Sequence, residues 1–502
     1  LRKRGITVRL APGDEELVTR LTQFDKLEKK PVPETLVGEL RPYQHEGYSW
    51  LSFLYEHKFG ACLADDMGLG KTLQALALLA AIKEGKISCG PGAKRPSLVV
   101  MPPSLLFNWE QEIERFCPGL KVYVYRGKDR SSTLEGYDVV LTSYGLVRRD
   151  IGKLKEMAFG AIIFDEAQAI KNIVAGTTGA VRQLKGWFKL ALTGTPVENH
   201  MGEYFSIMDL VLPGLLGDYR EFQGKAKHEM ATFLPAVAEK SKPFILRRTK
   251  ERILKELPPK IENDVFLELT ERQKKFYTRT VDEVRSTIDN AYNKNTAAQA
   301  KIIALTAIMK LRQICLTPQL LITDQIEVSP KIEFLRDKLE QLCSESHSSL
   351  VFSQFTSFLD LVEKELRSRE FRIFRLDGST PVMKRREIVE GFQGCESPAV
   401  FLLSLKAGGQ GLNLTRASYV FHLDPWWNPA VENQASDRSH RIGQKKKVIV
   451  TRLLMRHTVE EKMMALKQRK LGLYRALMNT PEESAGKSIT REDFNFLLGL
   501  GS

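Results

Sequence analysis

Cysteine is sparse in this chain of 502 residues: six in all, at positions 62, 89, 117, 315, 343 and 395, no two closer than 27 positions. No CxxC pair or Cys/His cluster has zinc spacing and nothing builds a disulfide framework, so a reducing compartment is expected. Long apolar runs are missing too. The longest, Leu73 to Ile82, is interrupted by Gln74 and falls well short of a bilayer span. No signal peptide is expected, and the residues show no internal repeat and no low-complexity tract. The first residue is Leu rather than Met, as expected of a fragment or a processed chain. Disulfide-stapled, collagen-like, disordered and membrane-spanning chains are excluded.

What is present is an ordinary globular mix, 43% hydrophobic and 27% charged, with a net charge of +14. A basic excess of that size argues for a polyanionic partner, nucleic acid before a membrane surface. At roughly 150 residues per domain, the length suggests about three domains or two large ones with insertions.

Residues 1–35 read as a helical appendage and linker. Asp14 can cap a helix with the apolar face Leu17, Val18, Leu21, Phe24 and Leu27, which Pro31-Val32-Pro33 then breaks. From about residue 36, short apolar runs alternate with helical stretches: Ala61–Ala64, Leu98–Met101, Val139–Leu141, Ala161–Phe164 and Leu190–Leu192. Such runs predict buried parallel strands, and so an α/β lobe over 36–250 with a helical protrusion from about 200. Charged helices over 251–328 predict a helical insertion and inter-lobe linker, Gln299–Cys315 most clearly. Alternation returns over 329–458 in Leu350–Phe352, Ile373-Phe374, Val400–Leu403 and Tyr419–Leu423, predicting a second α/β lobe. Residues 459–502 read as a charged helical tail, with Met463, Met464, Leu466 and Leu471 available to dock on a lobe.

The strongest chemical signal is Asp65-Asp66-Met67-Gly68-Leu69-Gly70-Lys71-Thr72, between a strand and a helix. Glycines there let backbone N–H groups face phosphates, and the helix N-terminus favours negative charge. Lys71 is the candidate to neutralise the β/γ-phosphates and Thr72 to hold Mg²⁺. The loop departs from GxxxxGK[ST], with Asp65 where the first Gly belongs. Asp165-Glu166 ends the apolar strand Ala161–Phe164, the edge where open parallel sheets bind ligands. Asp165 is the second candidate for Mg²⁺, and Glu166 the candidate base that orients and deprotonates water. Further on, Gln434, Arg438 and Arg441 stand at i, i+4 and i+7, the spacing of one helical face, after Asn428 as N-cap and Pro429 at the first helical position. Arginines aimed at a transferring phosphate can contribute on the order of 10³–10⁵ in rate.

These motifs in this order resemble superfamily-2 helicases, and specifically the Swi/Snf-type chromatin-remodelling ATPases, over about residues 36–480. Arg41-Pro42-Tyr43-Gln44 resembles the adenine-reading motif, with Gln44 as the base reader. Pro102–Trp109 looks like motif Ia and Thr142-Ser143-Tyr144 like motif Ib. Asp165-Glu166-Ala167-Gln168 is similar to motif II, followed by Lys171-Asn172. Thr193-Gly194-Thr195-Pro196 with Glu198-Asn199 is similar to motif III, and Phe244–Lys250 to the basic segment leaving the first lobe. In the second lobe, Val351–Phe355 with Leu376–Thr380, Ser404–Leu414, and Asp424–Pro429 leading into Gln434–Gln444 match motifs IV, V and VI. Gln168 stands where the family usually has His, a position that couples the nucleotide site to the rest of the motor.

The resemblance implies two RecA-like doubly wound parallel-sheet lobes, ATP and Mg²⁺ as ligands, and DNA-stimulated ATP hydrolysis driving translocation on double-stranded DNA. Gly409 and Gly411 join the nucleotide-binding set. Ser104, Thr142, Ser353, Lys406 and Trp427 are the candidate DNA track, and phosphate contacts suit a motor that follows any sequence. A strand-separating DNA or RNA helicase is the alternative. A monomer is expected, cytoplasmic and nucleoid-associated if prokaryotic, as the tail and short insertion suggest, or nuclear if eukaryotic. The cargo would be a DNA-bound protein such as RNA polymerase or a nucleoid protein.

Overall fold

The computed structural model describes residues 17, 21, 27–87, 95–127, 134–170, 175–194, 201–253, 258–293, 297–322, 328–405, 412–426, 429–441, 443–466 and 496. The chain divides into two units, residues 1–255 with 480–483, and residues 256–479 with 484–502.

In the first unit, continuous apolar runs become β1 (Ala61–Leu63), β2 (Ser97–Met101), β4 (Val139–Ser143), β5 (Ala158–Asp165) and β6 (Lys185–Leu192), with β3 (Val122–Val124) and β7 (Ile245–Leu246) at the edges. The order is β3-β4-β2-β5-β6-β1-β7, every pair parallel. Strands β1, β2, β4 and β5 are buried along almost their whole length, which is why they read as apolar runs, while β6 is buried only over its second half, where its apolar run lies. Helix α1 (Pro42–Glu56) starts with Pro at its first position, and Gln44 Oε1 reaches back to accept from the Arg41 N–H at 2.9 Å. Helix α2 (Lys71–Glu84) ends at Gly85, whose φ of +66° makes it the left-handed cap. The protrusion of helices Met201–Val211, Tyr219–His228 and Met230–Ser241 has its own small core of Phe205, Phe222 and Val237.

The Pro31–Pro33 stretch, expected as a linker, is bonded along this unit. Ser49 Oγ accepts from Lys30 N–H at 3.1 Å, Tyr48 donates to the Pro31 carbonyl at 3.0 Å, and Glu84 accepts from the Thr35 N–H at 2.8 Å. Of the appendage face, Leu17, Leu21 and Leu27 pack on the core of this unit; Val18 and Phe24 lie outside the described residues.

The second unit orders β8 (Lys260–Leu267), β9 (Ser349–Ser353), β10 (Ile373–Leu376), β11 (Val400–Ser404), β12 (Tyr419–His422) and β13 (Val448–Met455) as β10-β11-β9-β12-β13-β8, all parallel. Its two cores show the period of two directly. Val351, Val400, Leu402 and Phe421 fill one cluster, and Leu350, Phe352, Phe401, Leu403 and Val420 another. Sequence reading missed β8, which lies inside the expected helical insertion. Its Lys-Ile-Glu-Asn-Asp-Val-Phe-Leu sequence is half-exposed along its length, so it carries no apolar run, and only its pairing with β13 makes it a strand. Helix Ala297–Leu316 packs Ile308, Leu311 and Ile314 against Val459, Met463 and Leu466 of the tail, so the tail docks where described; Leu471 lies outside the described residues.

That docking is locked by charge. Lys331 and Glu460 are both fully buried, and Lys331 Nζ donates to both Glu460 carboxylate oxygens (2.8 and 2.7 Å) and to the Leu423 and Leu453 carbonyls (2.7 and 3.0 Å). Removing one partner leaves the other charge buried and unpaired, which costs about 3–5 kcal/mol. Lys331→Met is therefore expected to lower the urea midpoint of the second unit, and Lys331→Met with Glu460→Leu to recover most of that loss. A double variant no better than the single one in the same denaturation series would show that the pair is not what holds the tail.

Candidate active site

Three neighbouring strands deliver the site. β5, β6 and β1 lie side by side, with Asp165 opposite Leu192 and Leu192 opposite Leu63. Their C-terminal ends bring Asp165–Gln168, Thr193-Gly194 and the 64–70 loop to the edge where parallel sheets bind ligands.

In the loop, Gly68 and Gly70 hold φ of +83° and +76°. Gly70 caps α2, and a Cβ there would stand 2.4 Å from Nε2 of Gln44, so backbone and space both demand glycine. Gln44 is buried and donates to the Leu69 carbonyl at 3.2 Å, beside the Tyr43 hydroxyl at 3.0 Å. Lys71 Nζ folds back onto the Asp65 and Asp66 carbonyls (2.6 and 3.3 Å). Burial pulls its pKa below the ordinary lysine value, against the opposing pull of Glu166, Asp65, Asp165 and Asp66. Thr72 follows in the first helical turn, where backbone N–H groups have no acceptor within the helix.

Asp65 does something the sequence did not reveal. Its carboxylate is fully buried and accepts from Arg248 N–H and Nε (both 3.0 Å) on Oδ1, and from Arg248 Nη2 (2.5 Å) and Gln74 Nε2 (3.3 Å) on Oδ2. A carboxylate has about four lone-pair sites. All are taken, so the Asp65 side chain is not available to a nucleotide or a metal, and the residue serves the loop through its backbone. Asp66 Oδ2 accepts from the Lys250 N–H at 3.0 Å, while Met67 flanks Gly194, where a Cβ would stand 3.0 Å from Met67 Cγ.

At the end of β5, Asp165 Oδ2 accepts from Trp109 Nε1 and Oδ1 from the Glu166 N–H, both at 2.8 Å, and its carbonyl accepts from the Tyr144 hydroxyl at 2.8 Å. Burial, reinforced by the neighbouring Glu166 charge, pushes the Asp165 pKa up to about 6, while the indole N–H holds it back. Glu166 adopts φ of +47°, and its Oε2 accepts from Gln168 Nε2. Gln168 Oε1 in turn accepts from the Thr193 hydroxyl at 2.9 Å. The residue that departs from the family pattern thus bridges motif II to motif III; Thr195, Pro196, Glu198, Asn199, Lys171 and Asn172 lie outside the described residues.

The donor set fits Mg²⁺ carried on a polyphosphate. Thr72 and Asp165 offer hard oxygens, and Mg²⁺ is commonly held by one or two carboxylates plus substrate phosphates. No group of three or more His, Cys, Asp or Glu among the described residues forms a protein-only cage.

In the second unit, the shared helical face expected for Gln434, Arg438 and Arg441 does not form. Helix Pro429–Ser436 stops before the arginines. Asp437 N–H makes the last α-type bond, and the Arg438 and Ser439 N–H groups reach back only three residues. The Ser439 hydroxyl competes for the Ser436 carbonyl at 3.0 Å, which tightens the chain into turns. Gln434 is half-buried, Arg438 is 1% exposed, and Arg441 Nη1 donates to the Leu412 carbonyl at 3.1 Å.

Two DNA-track candidates are buried. Thr142 is fully enclosed and donates to the Tyr125 carbonyl at 3.3 Å. Ser353 is also enclosed and donates to Asp424 Oδ1 at 2.6 Å, beside the buried Arg312–Asp424 pair. Ser143, next to Thr142 in the chain, caps helix Tyr144–Leu154. Ser104 is half-buried, with no hydrogen-bond partner for its hydroxyl among the described residues. Lys406, Gly409, Gly411 and Trp427 lie outside the described residues.

The SNF2-related domain family matches residues 43–320, and the helicase conserved C-terminal domain matches 330–443. The chain belongs to the SNF2-related family. It is similar to the putative ATP-dependent helicase/translocase YwqA of Bacillus subtilis, 38% identical over 479 residues, covering 91% of this chain and 51% of that protein. It is also similar to the TATA-binding protein-associated factor mot1 of Aspergillus fumigatus, 32% identical over 555 residues, covering 97% of this chain and 29% of that one. Among solved structures, the Sulfolobus solfataricus SWI2/SNF2 ATPase core in complex with dsDNA is 38% identical, with 90% and 95% of the two chains covered and a TM-score of 0.46. The chain spans about half, or less, of the length of these curated relatives. No helix among the described residues is long and apolar enough to cross a membrane.

Sequence reasoning missed Arg248, Trp109 and Tyr144 as site residues of this family member. All three lie inside segments that it did single out, Phe244–Lys250, Pro102–Trp109 and Thr142–Tyr144, so the signal was present without the partner. Because the folded carboxyl of Asp165 titrates near 6 rather than 3.8, its charge opposes folding above that pH, and this burden lifts as pH falls from about 6 towards 4. Affinity for Mg²⁺-nucleotide is expected to weaken as pH falls through about 6. Trp109→Phe, which removes the donor to the ionised form, is expected to move that midpoint upward in a pH series of MgADP titrations. An unmoved midpoint would remove Asp165 from the transition.

Proposed function

We propose that this chain is the ATPase core of a motor that hydrolyses ATP to move along double-stranded DNA and to remodel or displace protein bound there. The observation that carries the reading is the cluster at the ends of β5, β6 and β1. A phosphate loop with a desolvated Lys71 faces Asp165 and Glu166 in a chain of the SNF2-related family. The net charge of +14 suits a duplex followed by its phosphates.

Lys71 and the first turn of α2 hold the β/γ-phosphates, and Thr72 and Asp165 would hold Mg²⁺. Glu166, positioned by Gln168, orients and deprotonates the attacking water. Gln44 reads adenine from the first turn of α1. Gln434, Arg438 and Arg441 act on the transferring phosphate, a role that now rests on the resemblance alone. Ser104, Lys406 and Trp427 are the proposed DNA contacts, and Gly409 and Gly411 belong to the nucleotide set. The motor works as a monomer in the cytoplasm, on nucleoid DNA in a prokaryote. The name of the mot1 relative supports a DNA-bound protein as cargo. The word helicase in the Bacillus subtilis name keeps strand separation as a second reading.

Steady-state ATP hydrolysis with no nucleic acid, duplex DNA, single-stranded DNA or RNA, at fixed salt, separates these readings. Duplex DNA is expected to stimulate turnover most; stimulation by single strands or RNA would favour the helicase reading. Lys71→Ala and Glu166→Gln are each expected to abolish turnover while leaving duplex affinity within a few-fold. Duplex affinity itself is expected to fall steeply between about 50 and 200 mM salt as counterions are released. A flat salt response would sink phosphate tracking.

A further inference from the structure

Residues 245–250 hold the phosphate loop as well as leaving the first unit. β7 pairs with β1, and the pairing runs on past the sheet edge. Ala64 N–H donates to the Leu246 carbonyl (2.7 Å), Asp66 N–H to the Arg248 carbonyl (2.9 Å) and Lys250 N–H to Asp66 Oδ2 (3.0 Å). Residues 64–66 and 246–250 therefore form one hydrogen-bonded ribbon, and the second unit begins at Glu256, six residues after Lys250.

Arg248 closes this ribbon with its side chain. Besides the two-pronged grip on Asp65, Nη1 donates to the Tyr43 carbonyl and Nη2 to Gln74 Oε1 at 2.7 Å. One guanidinium thus joins the loop, the first turn of α1 and the first turn of α2. There is no slack around it: a Cβ on Gly47 would stand 1.9 Å from Gln74 Oε1 and 2.7 Å from Arg248 Nη2. The carbonyls on which Lys71 Nζ rests belong to Asp65 and Asp66, the two residues whose side chains receive the Arg248 side chain and the Lys250 N–H.

We propose that Arg248 is a positioning residue that ties the placement of Lys71, and so the affinity for nucleotide, to the segment leading into the second unit. The inference rests on the phosphate-loop reading given above. Two groups joined by one rigid ribbon share a coupling free energy, and such coupling is reciprocal: nucleotide held by the loop must steady residues 245–250, and loosening 245–250 must weaken nucleotide. Lysine cannot replace arginine here, because one ammonium cannot bridge both Asp65 oxygens while reaching Tyr43 and Gln74.

The test uses the whole chain and ADP as the probe, read by equilibrium titration and by amide hydrogen exchange. In the unsubstituted chain, ADP is expected to slow exchange across residues 244–252. Arg248→Lys is expected to weaken ADP by about tenfold, within the usual range of coupling factors, and to leave exchange in 244–252 unresponsive to ADP. A purely structural role would lower the melting temperature of Arg248→Lys without changing ADP affinity in the folded fraction, and that result would overturn the proposal. So would exchange in the unsubstituted chain that ignores bound ADP, a measurement that needs no variant to fold. A chain that binds no ADP at all would overturn the phosphate-loop reading, and this inference with it.

Discussion

The first unit depends on one buried ion pair, Asp65 with Arg248. Burying a carboxylate costs several kcal/mol unless a partner and hydrogen bonds replace water, and removing the partner costs about 3–5 kcal/mol. A single loop hydrogen bond contributes about 1 kcal/mol net. The pair therefore decides where the peptide groups of Asp65 and Asp66 lie, and the weaker bonds, including those that park Lys71, follow from it. Gly47, Gly70, Gln74 and Tyr43 are all constrained by their closeness to this pair or to the loop that it fixes.

The same logic holds at the end of β5. Glu166 occupies a left-handed backbone conformation that a non-glycine residue adopts only when its surroundings impose it, at roughly 1–3 kcal/mol. Trp109 and Tyr144 fix Asp165 on one side, and Gln168 holds the Glu166 carboxylate on the other. Gln168 also receives the Thr193 hydroxyl, so any shift of the strand end at β6 is felt at Glu166. An amide serves this bridge well: it donates to one neighbour and accepts from the other whatever the pH.

In the second unit, motif residues at strand ends are spent on scaffolding. Ser353 and Arg312 both bind Asp424, and Arg452 fans across Glu262, Asp264 and Glu432, tying the edge strand β8 to helix Pro429–Ser436. Of these, Ser353 and Asp424 belong to motifs read from the sequence, whereas Arg312 lies in helix Ala297–Leu316 and Arg452 within β13. Their partners come from segments far away in the chain, so spacing alone could not separate a phosphate contact from a brace.

The amino-acid sequence by itself determined the fold class, the inner strands of both sheets except β13, and the phosphate loop with its acidic partner. All of these are local: an apolar run, a glycine at a fixed place, a lysine beside a helix start. Tertiary structure alone decided that Asp65 belongs to Arg248, that Thr142 and Ser353 point inward, that the helix after Pro429 ends at Ser436, and that Lys260–Leu267 is a strand. Each depends on groups that meet only after folding, Asp65 and Arg248 across 183 positions of sequence, and a buried charge takes whichever partner the fold brings within reach.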